Sequence, residues 1–207
     1  TLMPGTIASA TGIRKELMES GKLDAISSFV PDTTFAHLKA YLTEQHTLHN
    51  WELYWPFLKV KLITTPAESL AQIYEMKEGL ENRLIEAAER ASNFMEFMSL
   101  IKTKRYTWTR LQRILTYTLL NFTRDEMPKD LTPPYIRVLG FTATGQQYLK
   151  SIKKEKGNHI VSRLAACKNP LINIDKRAAI VHAAALPSAI SMKAQKREYM
   201  SPIVLSD

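Results

Sequence analysis

Ile101 to Arg113 is the densest stretch of chemistry in the chain. Its thirteen residues hold five cations, Lys102, Lys104, Arg105, Arg110 and Arg113, and no acid, with Tyr106 and Trp108 on either side of Thr107. An apolar run from Ile114 to Leu120 follows. Clustered Lys and Arg attract phosphate backbones, and bases stack on aromatic rings and guanidinium planes, so this composition suits RNA. A helix from Thr107 onward puts Arg110 and Arg113 on one face. Leu111, Ile114, Leu115 and Thr118 then form the opposite, buried stripe. The plain alternative is a solvated basic face. The lack of compensating acids favours a polyanion, since surface helices usually mix signs.

Elsewhere the chain offers little for catalysis. There is no Gly-rich phosphate loop, no Ser/His/Asp set and no defensible carboxylate pair, so no catalytic residue is assigned. Cys167 is the single cysteine of 207 residues, which excludes an internal disulfide and a Cys-rich zinc site and fits a reducing cytoplasm. His37, His46, His49, His159 and His182 are scattered. His46 and His49 could share a helical face, but no third ligand stands at a convincing spacing, so no metal site is expected. A net charge of +8 predicts attraction to polyanions. No uninterrupted apolar run approaches the roughly 20 residues of a spanning helix.

The elements that would carry these residues are mainly helical. With 45% hydrophobic residues and only seven glycines, the composition is that of an ordinary globular α protein. Ser9 or Thr11 caps a first helix with Ile13 and Leu17 on its apolar face, and Gly21 stops it. Leu23 to Phe29 forms a second short helix, and Asp32 to Thr34 starts a third that runs to about Leu48. Pro56 fits only a first turn, so the next helix is placed from Trp55. Thr65-Pro66-Ala67-Glu68 starts a helix to about Ala91 in which Gly79 marks close packing or an interruption. Ser92 caps a helix through Ile101. Residues 121–134 read as a loop. Tyr135 to Phe141 and His159 to Leu164 read as short extended elements. Between them a helix opens at Thr142 or Thr144, with a basic end at Lys150, Lys153, Lys154 and Lys156 and a stop at Gly157. An Ala-rich helix from Asn173 ends before Pro187, and the last twenty residues read as loosely ordered.

Two sets of residues carry a resemblance. Ser9-Ala10-Thr11-Gly12-Ile13-Arg14 resembles the S-x-T-x-I-R signature of HIGH-superfamily nucleotidyltransferases, in which hydroxyls and an Arg at a helix start hold ATP phosphates. The physics is sound, because free amides at a helix start attract anions and a guanidinium grips them bidentately. The second set is a series in order: Glu78 to Ile85, Ile101 to Thr107 with Thr109 to Arg113, and Tyr135 to Phe141. It is similar to the C-terminal half of the bacterial tRNA(Met) cytidine acetate ligases. The likeness is most specific from about residue 78 to 150.

That resemblance implies an ATP-dependent ligase that forms acetyl-adenylate and acetylates the wobble cytidine of elongator tRNA(Met) to N4-acetylcytidine. It implies ATP as cofactor, with Mg2+ allowed beside it. Ser9, Thr11, Ile13 and Arg14 would bind the nucleotide, and Lys102, Lys104, Arg105, Tyr106, Arg110, Arg113 and Arg137 the tRNA. An Arg within a short strand can equally be a structural ion-pair partner. No H-x-G-H run occurs, so the chain starting at Thr1-Leu2-Met3-Pro4 is expected to be a C-terminal portion that makes no acetyl-adenylate alone. Residues 1–31 would be the helical tail of a missing Rossmann-like nucleotidyltransferase domain, 32–190 a helical RNA-binding domain and 191–207 a loose tail. A stand-alone RNA-binding module and a basic protein-interaction scaffold are the competing functions.

Overall fold

A computed structural model describes residues 8–77, 79–130, 132–156 and 160–205. Glu78, Gly157, His159, residues 1–4 and the side chains of Lys153, Lys154 and Lys156, on which some of the sequence expectations fall, lie outside the described residues. The chain divides into two compact units, Thr1–Leu48 and His49–Asp207. The expected boundary at residue 31 is not where the contacts thin out.

In the first unit α1, Ala10–Ser20, is capped by Ser9, whose Oγ accepts the Gly12 amide at 3.1 Å. Gly21 ends it at φ 64, in the left-handed region where glycine is unstrained. A 3₁₀ helix, Leu23–Phe29, follows, and then α2, Asp32–Gln45. α2 stops three residues before the expected end because His46 turns left-handed at φ 59. Leu17 and Ile26 form the buried centre of this unit.

The second unit has a helical core. α3, Trp51–Thr64, starts four residues earlier than Pro56 suggested, because Asn50 supplies the cap by accepting the Leu53 amide at 3.2 Å. Pro56 therefore sits inside the helix, which forgoes one backbone bond there. The helix expected from Thr65 to Ala91 is broken in two, so that Gly79 marks the interruption rather than close packing. α4, Ala67–Leu70, is one turn, and α5, Leu80–Arg90, begins after Gly79 at φ 74. The intervening bend also holds Glu75 at φ 62, and Tyr74 ties it to the Phe122 carbonyl through a 2.9 Å backbone bond. Leu70, Ile73, Met76, Leu80 and Leu84 are nonetheless all buried, so the 3–4 spacing reported burial correctly and helix continuity wrongly.

α6, Phe94–Ile101, is capped by Asn93 rather than Ser92. Its first amides are satisfied from two directions. Glu52 of α3 accepts the Phe94 and Met95 amides at 3.0 and 3.3 Å, and the Asn93 side chain accepts the Glu96 amide at 2.8 Å. α7, Trp108–Leu120, buries Leu111, Ile114, Leu115 and Thr118, the four positions expected. The Thr118 hydroxyl is satisfied by the Ile114 carbonyl at 3.0 Å. Trp55 and Leu58 of α3, Leu84 of α5, Phe97 and Met98 of α6 and Ile114 of α7 share one core.

The remainder is more segmented than one or two strands. β1 (Ile136–Arg137) pairs in parallel with β3 (Ile160–Val161), and β2 (Gly140–Phe141) with β4 (Ile203–Val204). α8, Ala143–Lys156, and α9, Ile172–Ala184, match the expected helices. The tail expected to be loose instead forms α10, Ser188–Glu198, and contributes β4. α10 packs on α9, which packs in turn on α7.

A histidine pair joins α9 to the entry of α3. The His49 and His182 rings stack at 3.9 Å, His49 Nδ1 lies 2.6 Å from the Tyr54 hydroxyl, and buried His49 Nε2 has no hydrogen-bond partner among the described residues. Burial, and then the nearby His182, push the His49 pKa below the usual histidine value. The unfolded chain therefore binds more protons at mildly acid pH. The stability His49 contributes is present above the unfolded histidine pKa and is lost as pH falls through the lowered folded one. Denaturant midpoints should fall as pH drops through that window, and the slope should shrink in His49→Gln. An unchanged slope in the variant would remove His49 as the source.

Candidate nucleic-acid interface

The basic segment is a tight connection between α6 and α7. Lys102 closes α6 by donating its amide to the Met98 carbonyl at 3.0 Å. The Thr103 hydroxyl accepts the Tyr106 amide at 3.1 Å, which turns the chain, and the Thr107 hydroxyl caps α7 by accepting the Arg110 amide at 3.4 Å. Arg83 of α5 holds the approach by donating to the Leu100 carbonyl at 3.0 Å.

This turn sorts the predicted residues. Lys102, Lys104 and Arg105 are exposed. Tyr106 is not: it is 7% accessible, and its hydroxyl donates to the Lys77 carbonyl at 3.0 Å. Its ring is covered by Arg110, whose guanidinium carbon lies 4.9 Å from the ring centre. A base therefore finds no open Tyr106 face, and the stacking role expected for this ring gives way to an anchoring one. Trp108 is half-buried. With the Gln112 amide oxygen turned toward the indoles, it accepts from Trp108 and Trp51 Nε1 at 3.0 Å each.

Arg113 projects from α7, but Glu75 accepts from its Nε at 3.1 Å and from Nη2 at 2.6 Å. The acid missing from the local sequence arrives from 38 residues away. Arg137 is likewise paired, its Nη2 2.6 Å from Glu198 Oε2. Of the predicted cations, Arg113 and Arg137 are thus bound to carboxylates, Arg110 lies on a ring, and the exposed charge concentrates in residues 102–105. Sequence reasoning missed Lys77, which is exposed and belongs to the same neighbourhood through the Tyr106 bond. No local pattern could have found it, since 29 residues separate the partners.

The S-x-T-x-I-R residues belong to the first unit. Ser9, Thr11 and Arg14 are exposed, while Ile13 is half-buried and donates its amide to the Ser9 carbonyl at 3.0 Å. No acid stands in the first turn of α1, and Arg14 has no carboxylate partner among the described residues. The first amides of a helix also lack partners within it. A helix start with these properties fits a phosphate.

Among the described residues no cluster suits a metal ion, and no helix is long and apolar enough to cross a membrane.

The family model described as HIGH Nucleotidyl Transferase matches residues 1–198, and the chain belongs to that family. The match runs through the helical region as well, so the family's extent is not confined to a tail of 31 residues as the sequence suggested.

Within the family, the chain is similar to proteins named tRNA(Met) cytidine acetate ligase. It is 43% identical over 191 residues to that of Bacillus cytotoxicus, covering 90% of this chain and 49% of the relative. It is 41% identical over 202 residues to that of a Geobacillus strain, covering 97% and 50%. The chain spans about half the length of the curated relatives it matches. The crystal structure of apo Thermotoga maritima TmcAL shares the fold, with TM-score 0.83 at 24% identity over 100% of this chain and 52% of that one. The same protein has also been crystallised with alpha-thio ATP, and that structure superposes with TM-score 0.82.

Tyr106→Phe deletes the hydroxyl that holds the Lys77 carbonyl. It should lower unfolding free energy by about 1 kcal/mol in denaturant titration. An unaltered midpoint would mean the turn is held by other bonds.

Proposed function

We propose that this chain is the helical, tRNA-holding part of an ATP-dependent ligase that activates acetate as acetyl-adenylate and acetylates the wobble cytidine of elongator tRNA(Met). The reading is carried by identity of about 40% across nearly the whole chain to proteins of that name. It is supported by the exposed cations that Tyr106 fixes at the α6–α7 turn. Lys102, Lys104 and Arg105 meet the phosphate backbone, with Arg110 held behind them on the Tyr106 ring. Arg113 and Arg137, each already paired with a carboxylate, enter as residues that shape the surface around those contacts. In the other unit Ser9, Thr11 and Arg14 hold ATP phosphates, and Ile13 packs to set the helix start.

ATP supplies the leaving group that makes acetate reactive. What these residues add is charge and direction: a helix start and a guanidinium offered to phosphate, and a basic turn offered to RNA. The protein works where the cytosol supplies tRNA and ATP. A basic scaffold for an acidic protein is the competing reading, and salt dependence separates the two.

Lys102→Ala with Lys104→Ala should weaken binding of a tRNA(Met) transcript severalfold and reduce the slope of log affinity against log salt by about two. Binding and slope unchanged from the parent would remove this turn from the interface. Arg14→Ala in the complete ligase should impair adenylate formation, read by pyrophosphate exchange, while leaving tRNA affinity alone. Full exchange activity would end the phosphate role of Arg14.

A further inference from the structure

Arg137 and Glu198 line two separate cavities of the second unit. The first, of about 310 Å3, is also bounded by Arg163, Arg197, Ser162 and Ser201. The second, of about 470 Å3, is also bounded by Asp175, His182 and the small side chains of Ala178, Ala179 and Ala194. The two have opposite chemistry. In the first, Glu198 neutralises Arg137 at 2.6 Å, which leaves Arg163 and Arg197 as exposed guanidinium groups with no acid partner among the described residues. Two hydroxyls stand beside them. That set suits a phosphodiester oxygen, which accepts from every one of these donors.

The second cavity offers an acceptor and a wall. Asp175 Oδ2 receives the Tyr135 hydroxyl at 2.9 Å, and its other oxygen has no partner among the described residues. Burial, and then the bond to Asp175, push the Tyr135 pKa up to about 12, so the hydroxyl remains a donor and keeps the carboxylate oriented. The alanines of α9 and α10 leave room for a flat group. The His182 ring, already stacked on His49, lines the same space. Carboxylates in such settings accept from exocyclic amines of bases, and imidazole rings offer a stacking surface.

We propose that the two cavities receive one nucleotide of an RNA strand, its phosphate between Arg163 and Arg197 and an amino-bearing base beside Asp175. The inference rests on the tRNA-holding reading above and extends it to a second contact, away from the α6–α7 turn in sequence. The residues come from β1, α9, α10 and the segments after β3 and α10, and the packing of α10 on α9 together with the parallel pairings of β1 with β3 and β2 with β4 brings them to one place.

The test uses the whole 207-residue chain and fluorescence anisotropy with labelled hexacytidylate, labelled hexauridylate and a tRNA(Met) transcript. The parent should prefer hexacytidylate about tenfold, and Asp175→Asn should abolish that preference. Arg163→Ala with Arg197→Ala should weaken both hexamers alike, by about tenfold, and lower the salt slope. Because both arginines are exposed, this pair reports on binding without threatening the fold.

Hexamers bound equally well by the parent and the arginine variant would overturn the site. If Lys102→Ala with Lys104→Ala still weakened tRNA binding, the function proposed above would survive that loss. No tRNA binding by the parent would instead remove that function and this site together. Displacement of the hexamer by cytidine monophosphate at equal nucleotide concentration would mark a free-nucleotide site and overturn the strand assignment.

Discussion

The Tyr106 side chain decides what the most basic part of this protein can do. Its ring is sunk beside the core and its hydroxyl is bonded to the Lys77 carbonyl, so the α6–α7 turn is pinned to the bend before α5. Arg110 closes over the ring. A buried phenol must keep its hydrogen bond, and a guanidinium gains by lying on an aromatic face. With the ring and hydroxyl held in this way, Lys102, Lys104 and Arg105 of the same turn stand exposed. The cationic patch thus sits on a turn anchored by a buried aromatic residue.

The core that accepts Tyr106 depends on long-range capping. Glu52 reaches from α3 to the first amides of α6, and the Trp55 indole and the Lys59 ammonium donate to the Ser92 and Ala91 carbonyls at 3.2 and 2.7 Å. The connection between α5 and α6 is therefore stitched to α3 by three polar side chains. Helix ends left without partners inside a packed unit would each cost free energy, so α3 fixes where α6 starts and hence where the basic turn falls.

Charge pairing changes the electrostatic picture drawn from composition. Arg113 meets Glu75, Arg137 meets Glu198, and Arg177 meets Glu126 at 2.5 Å. Burial pushes the Glu126 carboxyl up, but the Arg177 guanidinium and the Thr123 amide and hydroxyl outweigh it and hold it below the usual carboxylate value. These acids come from bends and helix ends distant in sequence. Pairing thus takes Arg113, Arg137 and Arg177 out of the freely available positive charge, while Lys102, Lys104, Arg163 and Arg197 stand exposed.

Residue types and spacing alone were enough for the mainly helical class, a cap at Ser9 or Thr11, the Gly21 stop and the buried stripe of α7. Each of these depends on residues within one or two turns, where spacing and backbone preference dominate. It also carried the family likeness, through motifs in a fixed order. The remaining features follow from packing between distant segments. Pro56 stayed inside α3 because Asn50 provided an earlier cap. Gly79, which allowed either close packing or an interruption, marks an interruption because the bend at residues 71–77 meets Phe122 and Tyr106. The tail expected to be loose became α10 and β4 by packing on α9 and pairing with β2, contacts with no local signature. Which cations remain available to a partner was settled the same way. Acids 38 and 61 residues away claimed two of them, and pairing across such separations follows from the fold alone.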